Sequence, residues 1–188
     1  MRVITISGKA RHGKDSIASA LKGVFDKKGI PCMIVHYADF LKMILKNYYG
    51  IDCSEKSETV RQALQHIGTD VFRKNNPDCW VNMMLEFIKG LGDTVKVVVI
   101  SDCRFPNEIT KLRDSIYIDG VFSVLVKREN FENDLTLEQR KHPSETALDG
   151  WEFDCIVNND TDLKSFLSKA EKVVELYNFS QKKEIPVI

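Results

Sequence analysis

Short, continuous apolar runs occupy positions 2–7, 32–37, 95–101, 121–127 and 155–158 of the chain. Their length and lack of alternation predict strands buried on both faces. Between them, apolar residues recur at helical spacing over 14–28, 39–49, 58–73, 79–91, 107–113 and 162–179. Strands alternating with helices predict an α/β fold with a five-stranded parallel sheet flanked by helices. Two connections are too long for simple crossovers: 38–94 between the second and third strands, and 128–154 between the fourth and fifth. Long connections in such folds usually serve as lids or binding segments. No repeat, low-complexity tract or linker divides the 188 residues, so one domain, 1–188, with those two insertions is expected. The polar, proline-containing segment 181–188 is expected to be a loosely held tail.

The most specific signal lies between the first strand and the first helix. Gly8-Lys9-Ala10-Arg11-His12-Gly13-Lys14-Asp15-Ser16 has the spacing of a P-loop: a glycine, four residues, then Gly-Lys. A buried strand delivers the chain to a tight loop, and the glycines let backbone N–H groups of Ala10, Arg11, His12 and their neighbours turn inward. The helix N-terminus adds partial positive charge, so a polyphosphate can sit there. Lys14 is expected to reach the β- and γ-phosphates of ATP, while the His12 side chain points to solvent. A P-loop NTPase fold follows. The usual motif carries Ser or Thr directly after the lysine to hold Mg²⁺; here Asp15 stands there and Ser16 comes next. Metal contact through Ser16 by way of water, or through the Asp15 carboxylate, are both open.

Charge excludes some partners. Lysine plus arginine equal aspartate plus glutamate at 27 each, which gives no basic bias toward nucleic acid and no acidic tail. The five cysteines are scattered, without a Cys-x-x-Cys pair, and read as free thiols of a reducing compartment. The chain opens directly on a core strand, and no apolar run approaches membrane-spanning length. A cytoplasmic protein with a small-molecule substrate is expected.

The strand Val97-Val98-Val99-Ile100-Ser101-Asp102 ends in an acid. After a P-loop this reads as a Walker B element, with Asp102 near Mg²⁺; many buried strands also end in aspartate simply as a turn residue. Phosphoryl transfer needs its two phosphates held in line and the moving charge neutralised, and guanidinium forks suit phosphate oxygens. Arg104 follows the Walker B strand at the sheet's carboxyl edge, where ligands of such folds bind. Arg73 ends a helical pattern in the first insertion, Arg128 closes the fourth strand, and Arg140 lies in the second insertion. For Arg73 and Arg140 a solvated surface role weighs equally. Asp39, beyond the second strand, either orients an acceptor or N-caps the helix that follows. Trp80 and Phe72 either stack on an acceptor base or belong to the core. His142 and Glu145 would clamp a lid, but Ser144 as an N-cap after Pro143 is the simpler reading.

Several stretches resemble one family. Asp102-Cys103-Arg104-Phe105-Pro106-Asn107-Glu108 resembles the Asp-x-Arg-Phe-Pro-Asn-Glu signature of the phage-type deoxynucleoside monophosphate kinases. Tyr37-Ala38-Asp39-Phe40-Leu41-Lys42, Leu64-Gln65-His66-Ile67-Gly68-Thr69-Asp70-Val71-Phe72-Arg73 and His142-Pro143-Ser144-Glu145 resemble the same family. The Gly-Lys-Asp-Ser loop is similar to that of nucleoside monophosphate kinases, which also carry the hydroxyl one position late. The resemblance implies transfer of the ATP γ-phosphate to a (deoxy)nucleoside 5′-monophosphate, with Mg²⁺, in a homodimer. It places acceptor contacts (Asp39, Lys42, Phe72, Arg73, Trp80, Arg104) in the first insertion and after the third strand. It places the lid in the second insertion, with Arg128 near the ATP base and Arg140 arriving on closure. The rivals are a kinase of another phosphorylated acceptor, such as phosphomevalonate or dephospho-coenzyme A, and a regulatory ATPase with no second substrate.

Overall fold

The computed structural model of the chain describes residues 1–54, 57–129, 131 and 135–180. The tail expected at 181–188 lies outside them, as do positions 130 and 132–134 of the expected lid. Five strands form one parallel sheet: β1 (Arg2–Ser7), β2 (Cys32–Val35), β3 (Val97–Ile100), β4 (Gly120–Lys127) and β5 (Cys155–Asn158), in the order β2-β3-β1-β4-β5. β1 is central, pairing with β3 from Arg2↔Val97 and with β4 from Arg2↔Gly120. The continuous apolar runs are explained by helices on both faces. Ile4, Ile6, Val97 and Val99 point into one core with α1 (Lys14–Lys27) and α8 (Leu163–Ser180). Their neighbours Val3, Val98 and Ile100 point into a second core with α2 (Tyr37–Tyr49) and α4 (Cys79–Leu91). A two-residue side-chain period therefore fills both faces at once.

The remaining elements are α3 (Glu58–Gln65), a π-helical segment (His66–Arg73), α5 (Pro106–Arg113), α6 (Leu137–Lys141) and α7 (Pro143–Thr146). The elements depart from the expected pattern at three places. β2 stops at Val35 and α2 already begins at Tyr37, because the Asp102 carboxylate accepts from the N–H groups of Tyr37 (2.8 Å) and Ala38 (2.9 Å). Those are two of the donors that a helix N-terminus leaves without an intrahelical partner. The expected helix over 58–73 changes to π geometry from His66, and Trp80 Nε1 donates to the Gly68 carbonyl there (3.0 Å). Two short helices, α6 and α7, form within 128–154. No described helix is long and apolar enough to cross a membrane.

Candidate active site at the carboxyl edge of the sheet

All five strands run the same way, so the loops after them share one edge, where ligands of open α/β sheets bind. Between β1 and α1 the chain takes the P-loop course. Gly8 (φ 144°) and Gly13 (φ 98°) hold backbone angles that L side chains rarely adopt. A Cβ on Gly8 would lie 2.3 Å from the Val126 carbonyl oxygen, and one on Gly13 2.8 Å from Asn159 Nδ2. Arg11, between them, is a non-glycine residue in the left-handed region (φ 62°); strain of this kind concentrates at ligand-binding loops. Lys14 folds back over the loop, its Nζ donating to the carbonyls of Gly8 (2.8 Å) and Lys9 (2.9 Å). Burial lowers the Lys14 pKa to about 7; Arg104 adds to the shift, and Glu145, Asp15 and Asp102 oppose it.

His12 does not point to solvent as expected. Its ring is buried, with Nδ1 accepting from the Arg128 N–H (3.2 Å), and burial lowers its pKa. Its own N–H donates to the Lys9 carbonyl (3.3 Å), and Asn159 Nδ2 donates to its carbonyl (2.9 Å). His12 thus fastens the P-loop to the ends of β4 and β5.

The segment after β4 reaches over this loop through α7. Ser144 is not the cap of α7: His142 Nδ1 accepts from the Ser144 N–H (3.2 Å). Glu145 instead faces the P-loop. Its carboxylate accepts from Arg104 Nη1 (2.6 Å) and from the Ala10 N–H (3.3 Å). Lys9 Nζ donates to the Glu145 carbonyl and the Asp149 carboxylate. Gln139 of α6, buried, donates to Glu58 of α3 (2.5 Å), so the segment also touches the first long connection. A carboxylate therefore rests on one loop amide and one arginine, two donors suited to a phosphate. Glu145→Gln is expected to tighten binding of inorganic tripolyphosphate about fivefold, because one like charge leaves the ligand's vicinity, worth of order 1 kcal/mol for unit charges about 4 Å apart in water. Isothermal titration would measure it, and unchanged or weaker binding would count against the competition.

Beside Lys14 stand two acids. Asp15 accepts from Ser101 Oγ (3.0 Å) and lies 3.9 Å from His36 Nε2. Asp102 holds the α2 amides described above. Both line the cleft, whereas Ser16 is exposed on α1 and does not.

The cleft, about 520 Å³, runs from Ala10 and Lys14 past Arg104 to Arg61, Arg73 and Trp80. Arg73 is buried, pairing with Glu108, donating to the Pro77 carbonyl (3.1 Å), and lying 3.9 Å from the centre of the Phe105 ring. Trp80 is both core and cleft wall; Phe72 packs on it at 5.1 Å and does not reach the cleft. Lys42 lines the cleft, with Nζ 3.5 Å from Asp39. Asp39 does not cap α2: His36 holds the N-cap position, and Asp39, in the first turn, bonds His36 Nδ1 (2.9 Å).

Arg128 and Arg140 lie outside the cleft lining. The Arg128 guanidinium lies 4.2 Å from the centre of the Phe131 ring, and Arg140 Nε donates to the Leu135 carbonyl (3.0 Å). The cleft residues to which the sequence assigned no role include Arg61, Gln65 and Glu108. Of these, Glu108 alone had a readable cue, since a glutamate at the third position of a helix opened by proline is a capping signature.

The sheet order, the P-loop and the arginine-lined cleft define a P-loop kinase, a phosphotransferase. The chain is similar to the APS kinase of Mycobacterium tuberculosis solved with AMPPNP and APS (14% identity, 94% of this chain and 97% of that one, TM-score 0.54). It is also similar to a sugar kinase from Janibacter sp. (14%, 94% and 95%, TM-score 0.53) and to a gluconokinase from Sinorhizobium meliloti (19%, 97% and 98%, TM-score 0.50). At these identities the likeness shows the fold alone. The profile of the deoxynucleotide monophosphate kinases matches residues 31–170, and the chain belongs to that family. No curated protein matches it.

Proposed function

We propose that this protein transfers the γ-phosphoryl group of ATP to a deoxynucleoside 5′-monophosphate. The observation that carries this reading is the continuity of one cleft from the P-loop to a buried arginine and an indole wall, with Arg104 between them. A switch that only hydrolyses ATP has no use for the second half of such a cleft. The loop amides and Lys14 bind the donor phosphates. Arg104 lies where the phosphates of donor and acceptor meet and neutralises the group in transit. Residues 38–94 hold the acceptor, with Arg73 and Lys42 directed to its phosphate and Trp80 to its base. No general base is needed, because an acceptor phosphate oxygen is already anionic at neutral pH.

The acidic pair beside Lys14 fits Mg²⁺, a hard cation that prefers carboxylate and water oxygens. Asp15 and Asp102 would hold it, Asp102 through its unshared lone pairs, and Ser16 stands farther out. The ion would neutralise charge on the β- and γ-phosphate oxygens. α6 and α7 would exclude water from the phosphates, and Arg128 and Arg140, outside the cleft lining, would come to them only on movement.

A coupled assay of ADP release over deoxynucleoside and ribonucleoside monophosphates, phosphomevalonate and dephospho-coenzyme A tests the acceptor. The expected result is turnover with at least one deoxynucleoside monophosphate above all non-nucleotide acceptors. Preference for phosphomevalonate or dephospho-coenzyme A, or equal release without acceptor, would overturn the assignment.

A further inference from the structure

Glu108 is one of the least exposed charged side chains described, at 1%. Its two carboxylate oxygens go to different parts of the fold. Oε2 accepts from the N–H groups of Arg104 (2.6 Å) and Phe105 (3.0 Å), which fixes the loop after β3. Oε1 takes the guanidinium of Arg73, at the end of the π-helical segment. The Glu108 backbone carbonyl also accepts from the buried Tyr37 hydroxyl of α2 (3.1 Å). Burial pushes the Glu108 pKa up, while Arg73 and the two amides oppose the rise.

A capping glutamate needs only one of these oxygens to satisfy the amides at the start of α5. The other oxygen, engaged by an arginine from a segment 35 residues away, is not explained by capping. Arg73 and Arg104 both line the cleft, the first at the acceptor end and the second at its middle. One buried carboxylate therefore ties the Arg73 guanidinium to the backbone from which the Arg104 side chain extends, while Glu145 holds the Arg104 guanidinium itself. Phosphoryl transfer is sensitive to the placement of the two arginines, because acceptor and donor phosphates must stand in line.

We propose that Glu108 is a positioning residue for phosphoryl transfer, holding Arg73 on the acceptor phosphate and Arg104 on the transferring group in fixed register. This rests on the kinase reading above. Glu108 lies in the cleft wall with both carboxylate oxygens engaged by protein donors, and it acts through the two arginines.

Glu108→Gln keeps an oxygen for the α5 amides but cannot neutralise Arg73. The expected result is a KM for the acceptor raised about tenfold and kcat lowered at least tenfold, with the KM for ATP within twofold of the parent. In an Arg73→Gln background the same substitution should raise the acceptor KM no further, since its effect passes through Arg73. A merely structural role would instead alter both substrates' KM values alike, and its effects would multiply in the double variant; either result overturns the proposal. If Glu108→Gln does not fold, Glu108→Asp replaces it. The charge is kept but withdrawn by one methylene, so it cannot hold the amides and Arg73 together, and the same split between substrates is expected at smaller size. Parent protein that fails to phosphorylate any deoxynucleoside monophosphate would refute the kinase reading. Parent activity with an unaltered acceptor KM in both Glu108 variants would refute this inference alone.

Discussion

Lys14→Ala is expected to lower phosphoryl transfer about a thousandfold, the scale on which removal of a single preorganised charge-stabilising donor acts. Circular dichroism should be unchanged, because the Lys14 ammonium bonds only loop carbonyls and packs no core. Turnover within tenfold of the parent, in folded protein, would remove Lys14 from the donor site. The buried lysine also makes a signed prediction about pH. Its pKa in the empty protein is about 7, and a bound polyphosphate must raise it, since the anion favours the charged form. Well below pH 7 the lysine is already protonated and binding takes up almost no proton. Above pH 7, binding of an ATP analogue should take up as much as one proton, and affinity should fall as pH rises. Titrations in buffers of different ionisation enthalpy measure that uptake; zero uptake at pH 8 would contradict a Lys14 that is neutral before binding and charged against the phosphates.

Arg104→Ala should lower kcat by about a hundredfold to a thousandfold, with the KM of both substrates changed far less. Its charge is most useful when the phosphoryl group is between partners, so the loss falls on the transition state. Arg104→Lys should recover part of kcat and remain well below the parent, because an ammonium lacks the planar fork. The neutral substitution carries a second signature. Arg104 is a cationic neighbour that helps depress the Lys14 pKa, so Arg104→Ala should move the onset of proton uptake above pH 7. Unchanged kcat, or a loss confined to the KM of ATP, would place Arg104 outside the transferring group's reach.

What the sequence disclosed depended on the range of the interaction. The strands were legible because each is a continuous apolar run, and the P-loop because its function fixes the spacing of Gly8, Gly13 and Lys14. The features that sequence left open, or read differently, join distant residues. α2 begins early because Asp102, more than sixty positions away, caps it. Glu145 looked subordinate to Ser144 until the fold brought it to Ala10, 135 residues upstream. His12 was expected outside because a loop histidine is usually solvated; the ends of β4 and β5 enclose it. Arg140 and Arg128 stand out on charge and position, but periodicity does not report which way a side chain in a long connection is turned. Glu108 stood inside a quoted motif without a role, since a capping residue and a bridge between arginines share the same letter.

Transfer itself is followed by labelling ATP at the γ-phosphate and separating the products formed with each deoxynucleoside monophosphate. The expected result is label in a deoxynucleoside diphosphate, formed only when both protein and acceptor are present and lost with Lys14→Ala. Label recovered solely as inorganic phosphate, at a rate indifferent to every acceptor, would contradict the assignment of this cleft to phosphoryl transfer between nucleotides.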